Sequence, residues 1–368
     1  MVFTVLFYIF VGLFSVQIIY LFFFLLFSFS KEKQINNSKE KLPVSVILYT
    51  KNNEQIIEES FSKLINQTYP NFEVVIIDNA SSDETPTILE ELAVKFSNLK
   101  IVTVENNEAF WSNKKYALTL GVKAATHEHI IFTEVDSTPV SNNWLNSMAQ
   151  KFSEEKEIII GYTKYENKRF SFFGLLVRFE HLLHHILAFT NNKFGSAFNA
   201  SEKNFGYTKS SFFKAKGYIN HLKIQASHSD LFLKDATTKS NTTYTVKPTS
   251  FMVKSLPDSF SEWFNNLQLK SFNKKYYKAK HQLIINLFSF SRVLFYPLAI
   301  ILAILNWKLI IPFIASYYVL FYLVVGKSAQ KLKERQLIYF LPIIDIFIVC
   351  IQFSIFITNR ISKPTVWK

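Results

Sequence analysis

The chain has 368 residues, 49% of them hydrophobic, and a formal net charge of +13. That length allows one or two domains with a full core, and the single cysteine, Cys350, excludes a disulfide framework and any cysteine-based zinc site. The charge fits nucleic acid, an anionic membrane surface or a phosphorylated substrate. Lysines gather beside apolar segments, at Lys31, Lys33, Lys39 and Lys41, in 274–280 and in 327–335, which favours the membrane. No nucleic-acid motif is present, so nucleic acid is not an expected partner.

Residues 2–29 are almost wholly apolar and long enough to cross a bilayer. With no basic leader and no Ala-x-Ala-like site, they read as a retained transmembrane helix (1–30), not a cleaved signal peptide. A polar linker (31–42) follows, and its Lys31 and Lys33 flank puts the next domain (43–280) in the cytoplasm. That domain opens with the apolar run Pro43-Val-Ser-Val-Ile-Leu48. Helical spacing covers 54–66 and ends at Asn66-Gln-Thr-Tyr-Pro70. A second strand, in Asn71-Phe-Glu-Val-Val-Ile-Ile-Asp-Asn79, leads to a helix over 84–96, for which Ser81 or Ser82 supplies a cap. A third strand spans 101–104. The helix over 114–125 turns Tyr116, Leu118 and Val122 inward, and a fourth strand spans 130–132. These are repeated βα units.

Residues 158–163 read as a strand. Residues 170–189 form a long apolar helix carrying His181, His184 and His185. The spacing of His181 and His185 suits a metal, but an amphipathic helix on a membrane or under the sheet is the favoured reading. The last part (281–368) holds apolar segments at 283–305, 309–325 and 337–357, with a turn at Asn306-Trp-Lys308. Asp345 is costly in lipid and is expected to face protein or water. Pro342 is expected to break or tilt its segment.

In parallel α/β sheets ligands bind beyond the carboxyl ends of the strands. Those ends carry Thr50 and Lys51, then Asp78, then Glu134 and Asp136. Two carboxylates on alternate positions past an apolar strand suit Mg²⁺ or Mn²⁺ bridging a diphosphate, and Lys114 and Lys115 add cations.

The motif order resembles the family 2 glycosyltransferases, membrane-anchored and with the GT-A fold. The resemblance rests on the first strand, on Ile65-Asn-Gln-Thr-Tyr-Pro-Asn-Phe-Glu-Val-Val-Ile-Ile-Asp78, on Asn113-Lys-Lys-Tyr-Ala-Leu118 and on Thr133-Glu-Val-Asp-Ser-Thr-Pro139. Asn204-Phe-Gly-Tyr207 is similar to the acceptor-side segment. The resemblance implies an α/β Rossmann-like GT-A domain with N- and C-terminal membrane helices, a nucleotide-diphosphate sugar donor (a UDP-sugar first) and a lipid or glycan acceptor. It also implies a multi-pass inner-membrane protein with its catalytic domain in the cytoplasm. Thr50, Lys51 and Asp78 would meet the nucleoside, Lys114 and Lys115 the phosphates, and Asp136 the metal, with Glu134 beside it. Asp230 and His228 would serve catalysis, and Asn204, Trp263 and Lys270 would lie on the acceptor side. The chain departs from the family pattern in four ways, one being Asn53 where an acid is often found after the first strand. Glu134 stands where Asp is usual, His228 where an acid is usual, and Asn266-Leu-Gln-Leu-Lys270 lacks the arginine of the basic clamp. A glycosyltransferase is therefore expected, with a catalytically impaired sugar-nucleotide-binding or scaffolding subunit as the alternative. A transporter is disfavoured, because the soluble domain dominates.

Overall fold

The computed structural model describes residues 1–32, 41–105, 114–166, 170–224 and 227–361. Most of the expected linker, and Asn113, lie outside the described residues. The chain forms two compact units: a helical unit of Met1–Lys31, Asn167–Thr190 and Leu256–Lys368, and a sheet unit of Glu32–Glu166 and Asn191–Ser255.

After α1 (Val2–Ser28), the chain enters the sheet unit. Its first half alternates strand and helix: β1 (Val44–Thr50), α2 (Ile57–Ile65), β2 (Phe72–Asp78), α3 (Thr85–Lys95), β3 (Leu99–Thr103), α4 (Lys114–Ala124) and β4 (His129–Glu134). Then come β5 (Ser137–Pro139), α5 (Trp144–Ala149), β6 (Ile158–Ile160), β7 (Thr163–Tyr165) and α6 (Phe172–Lys193). They are followed by β8 (Phe205–Thr208), α7 (Lys209–Lys214), α8 (His228–Ala236), β9 (Thr242–Tyr244) and β10 (Met252–Lys254). The main sheet has the order β3-β2-β1-β4-β8-β6-β9, and β5-β10-β7 form a second, three-stranded sheet. The expected strand over 158–163 is divided, β6 joining one sheet and β7 the other.

β1 pairs in parallel with β2 on one side and β4 on the other. Both faces of these strands are covered, which is why they read as continuous apolar runs and not as alternating ones. Val44, Val46, Leu48, Val74 and Ile76 pack with Phe61, Leu64, Leu89 and Leu92 of α2 and α3. On the other face, α4 approaches so closely that a Cβ on Gly121 would collide with the Ile77 side chain. Ala117, Leu118, Gly121 and Val122 make the inner face of α4, while Tyr116 is only half-buried.

The cap of α3 differs from expectation. The Ser81 hydroxyl donates to Asp78, the Ser82 N–H donates to Asn52 Oδ1 at 2.8 Å, and Asp83 Oδ1 accepts from the Thr85 N–H at 3.1 Å. The serines tie the turn after β2 to the turn after β1, and α3 starts after Glu84 with no side-chain bond from that N-cap residue. Both turns need a left-handed residue, Asn52 (φ 51°) and Ala80 (φ 55°). Asparagine tolerates that region and alanine is rarely found there.

The helical unit contains α1, most of α6, α9 (Phe260–Asn273), α10 (Ala279–Lys331) and α11 (Leu341–Ile361). α10 is broken at Asn306 (φ −154°, ψ 79°), the residue at which the sequence predicts a turn. Pro342 falls in the first turn of α11, where its missing N–H costs nothing, so it starts the helix and does not break it. Asp345 is fully buried and accepts from Arg292 and from the Tyr296 hydroxyl. α1 lies along α10, with Gln17 Nε2 donating to Ser291 Oγ at 2.6 Å and the Phe10 and Phe295 rings 5.4 Å apart. Among the described residues four helical segments are long and apolar enough to cross a membrane: Val2–Ser28, Phe172–Lys193, Ala279–Lys331 and Arg335–Ile361. His181 and His185 are buried in α6 with rings 4.1 Å apart, and no group of three or more potential metal ligands gathers among the described residues.

Candidate active site

The order of connection reverses between β1 and β4. From β1 the chain moves outward to β2 and β3, then returns on the other side as β4. In open α/β sheets that reversal opens a crevice at the carboxyl ends. Here the parallel register sets Thr50 beside Asp78 and Tyr49 beside Glu134. Thr50 is fully buried, and its hydroxyl makes no hydrogen bond. Asp78 is buried, with Oδ1 accepting from the Ser81 N–H at 3.1 Å. Lys51 is half-buried in the turn that follows.

A chain of charges runs from this edge. Lys114, at the start of α4, donates to Glu134 Oε1, reaches Glu202 Oε2 at 3.1 Å and lies 5.0 Å from the centre of the Tyr49 ring. Lys203 bonds to Asp136 and sits 3.3 Å from Glu134 Oε2. Glu202 Oε1 then accepts from the backbone N–H of His228 at 2.8 Å and lies 3.1 Å from His228 Nδ1. His228 is buried, and its Nε2 makes no hydrogen bond.

Electrostatics follows from these contacts. Burial raises the Glu134 carboxyl, but Lys114 and Lys203 outweigh that and hold it at about 2. Burial also works against the Glu202 charge, yet His228 and Lys114 bring that carboxyl well below the usual range. Lys114 is lowered by burial and raised more by Glu134 and Glu202, so it is held above its ordinary value, and Lys203 behaves likewise. Lys115 is different: burial pushes it down to about 8, and its Nζ donates to the Ile224 carbonyl at 2.6 Å. It therefore braces the segment before α8.

The remaining candidates from the sequence are Asp230, Asn204, Trp263 and Lys270. Asp230 is buried in the first turn of α8, where its Oδ1 accepts from Asn199 Nδ2 at 2.9 Å and the Ala200 N–H at 3.2 Å. It pins α8 to the segment before β8 that carries Glu202. Asn204 is fully buried; its Oδ1 accepts from Trp144 Nε1 at 3.1 Å and its Nδ2 donates to the Tyr162 and Ser250 carbonyls. That amide joins the two sheets. Trp263 and Lys270 belong to α9 of the helical unit, where Trp263 packs edge-on against Phe173 with ring centres 5.7 Å apart.

Glu202 and Lys203 are not found by sequence reasoning. Their positions come from the antiparallel pairing of β8 with β4, in which Phe205 faces Phe132. Residues 202 and 203 lie in the turn just before β8, which brings Lys203 to 3.3 Å from Glu134 at the end of β4. The only sequence signal is a pair of opposite charges, Glu202-Lys203, directly before an apolar strand.

The donor set suits a hard divalent ion such as Mg²⁺ or Mn²⁺. Asp136 is exposed, Glu134 stands beside it, and both offer oxygen, the donor such ions prefer, with diphosphate oxygens to complete the shell. Their present counter-charges are ammonium groups.

Residues 45–214 match the profile of the family described as Glycosyl transferase family 2. The chain carries a family 2 glycosyltransferase domain. The match spans β1 to α7, so the family segment holds Lys114, Glu134, Asp136, Glu202 and Lys203, while His228 and Asp230 lie beyond it. Over 116 residues the chain is 30% identical to an uncharacterized glycosyltransferase of Haemophilus influenzae, covering 31% of this chain and 34% of that protein. It is 34% identical over 115 residues to a beta-monoglucosyldiacylglycerol synthase of Trichormus variabilis, covering 31% and 24%. The chain thus spans about a third or less of the length of these curated relatives. A mannosyltransferase from Pyrobaculum calidifontis, solved in complex with GDP-Man and Mn²⁺, shares the fold. Its TM-score is 0.58 at 16% identity, over 90% of this chain and 99% of that one. The sheet unit has the GT-A fold.

Proposed function

We propose that the protein transfers a sugar from a nucleoside-diphosphate sugar to a lipid or glycan acceptor beside a membrane. One observation carries the reading: Lys114, Glu134, Asp136, Lys203, Glu202 and His228 converge on the carboxyl edge between β1 and β4. Thr50 and Asp78 receive the nucleoside, and Thr50 brings a buried hydroxyl without a partner. Lys114 and Lys203 face the diphosphate. A divalent ion held by Asp136, with Glu134 beside it, would offset charge on the departing diphosphate. Lys203 must release Asp136 to admit it. The Pyrobaculum calidifontis relative in complex with GDP-Man and Mn²⁺ supports the donor class and the metal, and the diacylglycerol in the Trichormus variabilis relative's name supports a lipid acceptor.

His228 is the general base in this proposal. Glu202 accepts the Nδ1 proton and so leaves the Nε2 lone pair to take the proton of the acceptor hydroxyl, as in other carboxylate–histidine pairs. The acceptor oxygen then bonds to the sugar's anomeric carbon as the bond to the diphosphate breaks. Nε2 is buried, so the acceptor must displace the atoms that cover it. The groups facing His228 are Glu202, Lys114 through Glu202, and the Tyr218 ring at 5.8 Å. The helical unit supplies the membrane anchor, reading the chain as a multi-pass membrane protein with the sheet unit in the cytoplasm.

The test uses the full chain in detergent, screened for binding and turnover of uridine- and guanosine-diphosphate sugars. Asp136→Ala is expected to abolish metal-dependent release of nucleoside diphosphate, and His228→Ala to cut kcat by about 10²–10⁴ with donor binding intact. His228→Asp, which keeps a basic oxygen at the position, should retain more turnover than His228→Ala. Failure of the wild type to bind any nucleotide sugar sinks the proposal.

A further inference from the structure

A cavity of about 350 Å³ in the helical unit is lined by Arg178 of α6 and by Lys333, Arg335 and Gln336 between α10 and α11. That is the low end of the volumes that hold small ligands, about 300–1,000 Å³. Three of the four lining residues are cations and the fourth is an amide. Arg178 is almost wholly buried, and its guanidinium is set in place by Glu334. Nε donates to Glu334 Oε2 at 2.7 Å, Nη2 donates to the same oxygen, and Nη1 donates to Gln336 Oε1 at 3.1 Å. One buried carboxylate therefore answers one of three positive charges. Lys333 and Arg335 are exposed and leave the cavity with a net positive charge.

Two further observations bear on what fills it. Lys333 has φ 61°, a left-handed position that glycine usually takes at the end of a helix. A lysine held there, with its strain, keeps a cation at the rim. Beside the cations the surface is aromatic and apolar: Phe170 is 67% exposed and Tyr339 81%. Ile343 and Phe347 are exposed along the start of α11. Exposed aromatics next to cations at the end of apolar helices are the pattern of a membrane–water boundary, where basic pockets between helices take lipid headgroups.

We propose that this cavity binds the phosphate headgroup of an anionic membrane lipid, with the acyl chains lying against the exposed face of α11. The donors suit phosphate: a planar guanidinium fixed at the back and two exposed cations at the mouth. A free phosphate shares the headgroup chemistry but has no use for the aromatic rim. The inference rests on α10 and α11 lying in a membrane and is independent of sugar transfer.

The test measures thermal unfolding of the detergent-solubilised full chain with added phosphatidylglycerol, phosphatidylcholine or inorganic phosphate. Phosphatidylglycerol is expected to raise the midpoint, and the other two to leave it unchanged. Lys333→Gln/Arg335→Gln should bind phosphatidylglycerol about 30-fold more weakly, each cation near a membrane being worth about a factor of five. Arg335→Gln alone should show about a fivefold loss. Lys308→Gln, beside the Asn306 break, should behave as wild type. An equal shift with phosphatidylcholine or with inorganic phosphate overturns the proposal. So does an equal loss in Lys308→Gln.

Discussion

At the scale of single residues the site is a balance of charges, and its consequence is a pH dependence. Glu134 has its carboxyl drawn from the ordinary 4.5 to about 2 by Lys114 and Lys203, against the opposing effect of burial. A carboxyl depressed on folding contributes stability that is fully present above the unfolded value and is lost as pH falls through the folded one. The window therefore runs from about 4.5 down to about 2. Glu134→Gln is expected to cost about 1.5–3 kcal/mol at pH 7, the usual worth of hydrogen bonds to a charged group. Thermal unfolding of both proteins should show the difference closing as pH falls through that window. A difference that stays constant down to pH about 2 would mean that the ion pairs contribute nothing.

At the scale of elements, what the sequence shows and what it hides have separate physical causes. β1, β2 and β4 are legible because each is an apolar run buried on both faces and ended by a polar residue. The strand-end residues Thr50, Asp78, Glu134 and Asp136 are legible with them. Glu202 and Lys203 are not, because no local periodicity marks them; they reach the site only through the antiparallel return of β8 along β4. Asn204 has internal partners that the sequence does not show. Its amide satisfies Trp144 and two carbonyls. His228, which departs from the family pattern, has Glu202 beside it, a partner that only the fold reveals. The position of α4 is equally specific, because Lys114 depends on how closely that helix lies on β2. Gly121→Val puts a branched side chain into Ile77 and is expected to destabilise the sheet unit by about 1–3 kcal/mol. Donor affinity should fall as well, since Lys114 moves with the helix. Unchanged unfolding and unchanged nucleotide-sugar binding in this variant would refute the close-packing account.

At the scale of the whole molecule, charge is placed differently in the two units. In the sheet unit it collects at the edge where chemistry is proposed, partly open to solvent. In the helical unit the Arg292–Asp345 pair is buried among apolar side chains, with 1% and 0% of the two side chains exposed. The Tyr296 hydroxyl adds a bond to the carboxylate, and the guanidinium lies 5.3 Å from the Phe288 ring. This pair joins α10 to α11, two helices long and apolar enough to span a bilayer. Removing one partner leaves the other charge uncompensated in an apolar setting, a loss of about 3–5 kcal/mol. Removing both leaves no stranded charge, and aliphatic side chains of similar volume restore part of the packing. Arg292→Leu and Asp345→Leu are thus each expected to lower the unfolding midpoint in detergent sharply, and the double substitution less than either alone. The double-mutant cycle decides the point. Additive losses would show that the two charges do not depend on each other, and the pairing of α10 with α11 would then have to come from their apolar contacts alone.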